Sequence, residues 1–464
     1  MHTPLRFPCR CLAIVAILVS PLAQAATHLV DSLAAFKARL KDAVAGDTIT
    51  LKRGTYTTTG SLTIAARGTA SQPITIAAEA DGEVEIGGTH GFNIVEPAAH
   101  IVISGFKLTH AAGKNTIAAG TSHVRITRTT FQCKGDGPYL TVIGDDAQID
   151  HNDFGDKKTI GSMIAVGGTG SQVARRLWIH HNYFHDFATV IGTPAEMIRF
   201  GLTALTHSVG AGLIEHNLFA RCRGENDLIS NRSSGNIYRY NTFIDSPTSQ
   251  LTLRHGNECV VYGNIFKNTE GLRLFGDRHQ VFSNYFEGNY IGINLGNGSE
   301  NVEAGSTPSG HDRPDNCVIA FNTFVDNRTH YQLSRRAPEG LGATSTTFAN
   351  NLLTGRGIAA KIEGPNTGAV WSGNLVSTAG GAGDFPTDGF TSDDPQLAPG
   401  ADGIRRPQPG SPAIGAAKGS FPVVAFDLDG QPRPEKKSIG ADEPGTEGVI
   451  ARLLAASDVG PGAK

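Results

Sequence analysis

The 464-residue chain reads as all-β, a single right-handed parallel β-helix with an N-terminal capping helix. Three observations predict this: a repeated motif at coil-like intervals, short alternating runs ahead of it, and termini suited to closing the ends of a solenoid.

The repeat is Asn-x-apolar, most often Asn-x-Phe. It stands at Asn152-Asp153-Phe154, Asn182-Tyr183-Phe184, Asn217-Leu218-Phe219, Asn241-Thr242-Phe243, Asn264-Ile265-Phe266, Asn284-Tyr285-Phe286, Asn322-Thr323-Phe324, Asn351-Leu352-Leu353 and Asn374-Leu375-Val376. Successive asparagines lie 20 to 38 residues apart. The short intervals fit one coil and the long ones a coil with a loop inserted. A phenylalanine at each repeat would stack on its equivalents inside. An asparagine at each corner would satisfy backbone groups that a tight bend leaves without partners.

The runs before these motifs, such as Arg176-Leu177-Trp178-Ile179-His180-His181 and Gln280-Val281-Phe282-Ser283, alternate in the manner of short half-buried strands. At the start, Asp31 or Ser32 can cap a helix over residues 31–45 with Leu33, Phe36, Leu40 and Val44 on one face, covering the first coil. At the other end, Asp394 to Leu397, Ser411 to Ile414 and Asp427 to Glu443 are Pro- and Gly-rich and read as irregular turns laid over the last coil. The β-helix domain is therefore expected over 26–445, followed by a tail, 446–464, with a short helix in its apolar run Val449 to Ala456.

Residues 1–25 read differently. Arg6 and Arg10 precede an apolar run, Leu12 to Leu22, and an Ala23-Gln24-Ala25 site, the pattern of a secretory signal peptide. A periplasmic or secreted location is expected, without a membrane partner. The chain carries 40 basic and 43 acidic residues, and losing two arginines with the leader takes the formal charge from −3 to −5. A generally basic nucleic-acid binder is excluded. Cys133, Cys222, Cys259 and Cys317 remain, with no C-x-x-C pair. Buried free thiols are the simpler reading, since a domain of this size has core enough without disulfides.

The middle coils hold more charge than packing requires. Glu225 and Asp227 are two apart, so on a strand both would face one way and repel without a cation between or opposite them. Calcium is one candidate cation; Arg232, Arg254 or a cation bound with substrate are others. Arg199, Arg254 and Arg273 each follow an apolar residue and precede a glycine by two or three positions, which suggests equivalent places on neighbouring coils. Guanidinium groups at the ~4.8 Å strand spacing could grip the carboxylates of a polyuronate.

These residues carry a family resemblance. The span from Asp47 to about Glu443 resembles polysaccharide lyase family 6, the β-helical group of alginate lyases and chondroitinase B. The matching pieces are Ala45 to Ile49, Gly54-Thr55-Tyr56, Glu196-Met197-Ile198-Arg199, Gly224-Glu225-Asn226-Asp227, Ser233 to Asn236, Leu251 to Asn257 and Asn284-Tyr285-Phe286. The resemblance implies β-elimination on a polyuronate, most directly alginate, by an enzyme expected to act as a monomer. It places a general acid at Arg254 and calcium ligands at Glu225 and Asp227; on the residues' own reading, Arg199, His255, Arg273 and His279 are expected as substrate contacts. The family's base lysine falls on Arg232, and the asparagine of its calcium site falls near Thr193.

The lysine-to-arginine change can be weighed. At pH ~8 a model lysine loses its proton for roughly 3 kcal/mol and an arginine for about 6 to 8 kcal/mol. The difference alone would slow reaction by a factor on the order of 10² or more. The β-helical pectate lyases resemble this chemistry and are taken to use an arginine, crowded by other cations, as base. His255, His279 or a tyrosine are alternative bases. Three other activities compete: a dermatan sulfate or chondroitin lyase, a non-catalytic polysaccharide-binding β-helix, and a glycoside hydrolase. The last needs a carboxylate pair rather than arginines; Gly144-Asp145-Asp146 resembles one fragment of polygalacturonases, but their Gly-His-Gly element is absent.

Overall fold

A computed structural model describes residues 25–188, 190, 192–445, 449 and 451–464. All but the last residue of the expected leader, and Ile450 of the expected tail helix, lie outside them. The chain winds into three long parallel sheets of 14, 12 and 14 strands, to which a typical coil contributes one strand each. One coil runs Gln148–Asp150, Asp153–Phe154, then Ile164–Val166. The expected parallel β-helix is the fold.

The repeat does the structural work assigned to it. Phe131, Phe154, Phe184, Phe219, Phe243, Phe266, Phe286 and Phe324 form one buried stack with ring centroids 4.5 to 4.9 Å apart. From Asn152 to Asn374, the backbone N–H and side-chain amide of each asparagine donate to the Oδ1 of the next, at 2.9 to 3.2 Å. Their purpose follows from the preceding residue. His151, His181, His216, Tyr240, Ser283, Phe321 and Asn350 all turn the corner with φ between 51° and 56°. A side-chain-bearing residue there costs on the order of 1–3 kcal/mol. Two or more satisfied bonds at ~1 kcal/mol each offset much of that.

The capping helix, α1, spans Leu33–Asp42, with the Ser32 side chain accepting from Ala35 N–H, and buries Phe36 and Leu40. It stops short of the expected residue 45. The Asp47 carboxylate accepts from the N–H of Ala26 and of Val44, at 2.9 and 3.0 Å, and draws residues 43–46 into a turn.

The C-terminal segment does not lie over the last coil. That end is covered by Phe385 packed on Trp371, Phe348 and Phe390. Residues 392–445 instead run back along the flank: Phe426 O accepts from Ser283, Tyr285 OH from Arg405 N–H, and Thr323 Oγ1 from Ala441 N–H. The fully buried Arg433 pins this strap through Glu443, 2.6 Å away, and the carbonyls of Gly440 and Ala441. The tail continues the same way. Leu454 N–H donates to Thr242 and Gly460 N–H to His181 O, and Arg128 donates to Ala463 O. Residues 451–455 form neither helix nor strand: Ala451 N–H bonds Asp429 O of the strap, Leu454 N–H bonds the coils and Ala455 N–H bonds Asp458, and among the described tail residues one 3-10 turn forms, Ala456–Asp458.

The four cysteines among the described residues, Cys133, Cys222, Cys259 and Cys317, are buried free thiols, as the simpler reading held. No helix among the described residues is long and apolar enough to cross a membrane.

Candidate active site

The twelve-stranded sheet carries the charged residues. Its neighbouring strands Ile198–Gly201, Asp227–Arg232, Gln250–His255, Leu272–Leu274 and Ile291–Leu295 send one apolar row inward, Ile198, Ile229, Leu251, Leu272 and Ile293. The adjacent outward row is Arg199, Ser230, Thr252, Arg273 and Asn294. The three expected arginines are therefore not one ladder. Arg199 and Arg273 share a row but are separated by two hydroxyl-bearing residues, about 14 Å at the usual strand spacing.

Arg254 stands off that row because the pairing slips. Asn231 opposes Leu253, but Arg232 opposes His255, so Arg254 is the extra residue of a β-bulge. The buried Asn231 holds the bulge: its amide donates to Ser233 O and His255 O, while its Oδ1 accepts from Asn236 and Tyr238. Such irregularities re-aim side chains. Here Arg232 and Arg254 come to the same part of the outer face.

The acids are arranged differently from the expectation. Asp227 is on its strand, but Glu225 lies in the bend before it, where the two-residue period does not apply. The buried Asp227 accepts from Thr252 at 2.6 Å and from Arg273 at 3.0 Å through one oxygen, with Arg254 3.5 Å from the other. A third acid, Glu196, joins them. One of its oxygens accepts from Ser162 at 2.8 Å, and the other lies 3.5 Å from Arg232 without a hydrogen bond. Glu225 also has a buried, unpartnered oxygen. Burial, then the charges of Glu196 and Asp227, push the Glu225 carboxyl up to about 7. Burial and the neighbouring Arg254 lower the proton affinity of Arg232, and Arg199 adds to this against the opposing pull of Glu196.

The donor set of these acids does not fit calcium. Calcium takes six to eight oxygens. Asp227, one of the two expected ligands, commits both oxygens to arginines and Thr252. Among the described residues no group of three or more His, Cys, Asp or Glu side chains is disposed to hold a metal. Arg232 stands beside Glu196 in a cation's place.

Of the two histidines, His255 sits at the site, opposite Arg232, with a buried Nδ1 lacking a partner. His279 does not. It is fully buried, its Nδ1 accepting from Cys259 N–H and its Nε2 bonded to Phe275 O, so it ties a corner together and cannot touch substrate. Asp145 and Asp146 are taken by Arg175 and Arg176 on an outer corner, away from any second free carboxylate that hydrolysis would require.

The sequence reading missed His311. It lies on the insert 296–313 and stacks on Phe275, centroids 4.3 Å apart, parallel to His255 at 5.9 Å. The tip of that insert meets the loop after strand Ile198–Gly201, where His207 Nε2 bonds Ser306 O at 2.8 Å.

A solenoid with four guanidinium groups gathered on one face around buried carboxylates belongs to the class of β-helical proteins that handle acidic polysaccharides. The comparison with known families agrees. The family model described as Chondroitinase B matches residues 30–337, and the chain belongs to that family, among the family 6 polysaccharide lyases. Among solved structures it is similar to the PL6 family alginate lyase AlyGC, with 25% identity and a TM-score of 0.74 over 83% of this chain and 55% of that one. It thus spans about half the length of that protein. It is similar in fold to a mannuronic acid specific family 6 lyase from human gut microbiota, with 22% identity, a TM-score of 0.68 and 80% and 91% of the two chains covered. The alginate lyase AlyF-OU02, solved with G6, is likewise similar, with 19% identity, a TM-score of 0.68 and 84% and 92% covered. No curated protein matches the chain.

Proposed function

We propose that the protein cleaves a polyuronate, alginate foremost, by β-elimination. The observation that carries this reading is the outward cluster of Arg199, Arg232, Arg254 and Arg273 on one sheet face. Arg199 and Arg273 each keep a buried Nε without a partner among the described residues. Guanidinium groups neutralising a uronate carboxylate make the C5 proton acidic, because the carbanion's charge spreads onto that carboxylate. Arg254, on its bulge, supplies a proton to the departing C4 oxygen. Arg232 fills the base lysine's position and lies beside Arg254, so the two bracket the reacting sugar. The C5–H electron pair becomes the C4=C5 double bond, and no water enters.

The test follows ultraviolet absorbance of the unsaturated product with alginate, polymannuronate, polyguluronate and dermatan sulfate. Absorbance with one of the alginate polymers supports the reading. Binding without absorbance on any substrate overturns it in favour of a polysaccharide-binding β-helix. Preference for dermatan sulfate, the substrate class suggested by the family's name, would reassign the substrate and leave the chemistry.

A further inference from the structure

With arginine in the lysine's place, the reaction lacks an easy proton acceptor. The acids do not supply one: Asp227 is held by three donors, Glu196 lies against Arg232, and the unpartnered oxygen of Glu225 is buried beside Glu196, out of reach of a substrate. His255 is buried in the sheet. We infer that His311, delivered by the insert 296–313, is a further catalytic residue of the lyase reaction and accepts the C5 proton.

The geometry carries this in four ways. The backbone of His311 is clamped, its N–H donating to Ser299 Oγ and its carbonyl accepting from the N–H of Ser299 and of Glu300, at 2.8 to 3.2 Å. The ring is fixed by its stack on Phe275, the side chain two residues beyond Arg273. Unlike His255 and His279, the residue is partly exposed, and neither ring nitrogen bonds to protein among the described residues. It also stands within the field of the site's cations: Arg273 lies 5.7 Å from the same Phe275 ring, His255 is alongside, and the charges of Arg254, Arg273, Arg336 and Arg232 all act on its ring. The nearest acid on its own insert, Glu300, is engaged by Ser309 and Gly310, and the adjoining Asp312 accepts from Val302 N–H.

This field has a useful consequence. Burial, then Arg254, Arg273, Arg336 and Arg232, push the imidazole down to about 4, so it is unprotonated at neutral pH. A bound uronate chain neutralises those guanidinium groups. The imidazole then gains proton affinity at the moment the C5 proton is to be removed. In the step itself the C5–H bond breaks, its proton passes to a ring nitrogen, and its electrons form C4=C5. The C4–O bond breaks, the leaving oxygen takes a proton from Arg254, and the imidazolium gives up its proton to solvent, from which Arg254 takes one back, so both groups return to their starting states.

The inference rests on the lyase reading, and the experiment separates the two. The variants H311Q and H311A are compared with the parent chain on alginate, with kcat and KM followed by product absorbance and folding by thermal melt. The expected result is an unchanged melt, a kcat lower by about 100-fold or more, a KM changed little, and partial recovery of the H311A rate by added imidazole. Parent activity with kcat of both variants within about threefold of it overturns the role of His311 and leaves the lyase reading intact. A loss that imidazole does not restore also overturns it, reducing His311 to a packing residue. A parent without product absorbance overturns both readings.

Discussion

On the faces that carry the asparagine ladder and the phenylalanine stack, each coil repeats the one before, and buried amides find partners coil after coil. On the twelve-stranded face the register slips between Asn231 and Arg232, and polar atoms are left over. Of nine buried, unpartnered side-chain atoms among the described residues, five belong to Glu196, Arg199, Glu225, His255 and Arg273. That concentration locates the site without reference to any relative. Buried polar groups cost ~1–3 kcal/mol each when unsatisfied, so this face gives up stability that the regular faces supply. The same contrast means that substitutions on the two sides should fail in different ways.

The largest effect is expected at Arg254. Arg254→Ala should lower kcat/KM by about 10³ or more, since a cation at the leaving oxygen is lost. Its melting temperature should hardly change, because Asp227 keeps Thr252 and Arg273. A variant that loses activity only through unfolding would erase the distinction between the faces. Next comes the opposite case. Phe243→Ala leaves a gap between rings 4.7 Å away on either side, and should destabilise by ~3–5 kcal/mol in denaturant unfolding. Its kcat at low temperature should stay near that of the parent.

A smaller effect concerns the strap. Burial, then the charge of Asp429, pushes the Asp442 carboxyl up to about 8, against the pull of Arg406. The folded state then holds a proton that the unfolded chain releases near pH 4. The stability from this proton is full below pH ~4 and is lost as the pH rises through about 8. Asp442→Asn should flatten that decline, read as melting temperature against pH. An unchanged slope would show that the strap does not share in it.

How much of this was legible in the sequence depends on periodicity. Asn152 to Asn374 and the phenylalanines announced the coil because each position has equivalents. Reasoning by period failed where the chain leaves it. Glu225 was put on a strand but lies in a bend, and Arg254 was put in a ladder but sits on a bulge whose keeper, Asn231, looks like any other polar residue. His279 looked available only because an inward corner position is not marked by residue type. His311 had no repeat neighbours to draw attention to it, and its stack on Phe275 joins residues 36 apart through an insert. Glu196 did have a signal, the Glu196 to Arg199 motif, but its contact with Arg232 depends on the fold.

The smallest expected effect is from a chelator. If a divalent cation neutralised the substrate carboxylate, removing it should abolish turnover. Here Asp227 is spent on Thr252, Arg254 and Arg273, and Arg232 lies 3.5 Å from Glu196. The guanidinium groups already supply positive charge on this face, and they cannot be chelated. Assay with excess EDTA, after dialysis against it, should therefore leave kcat and KM within about twofold. A large loss restored by calcium would mean that Glu196 and Glu225 direct their unpartnered oxygens to a metal, and that Asp227 exchanges its arginines for it. The contrast between the faces would survive, but the reason for the unsatisfied atoms would change from substrate to cation.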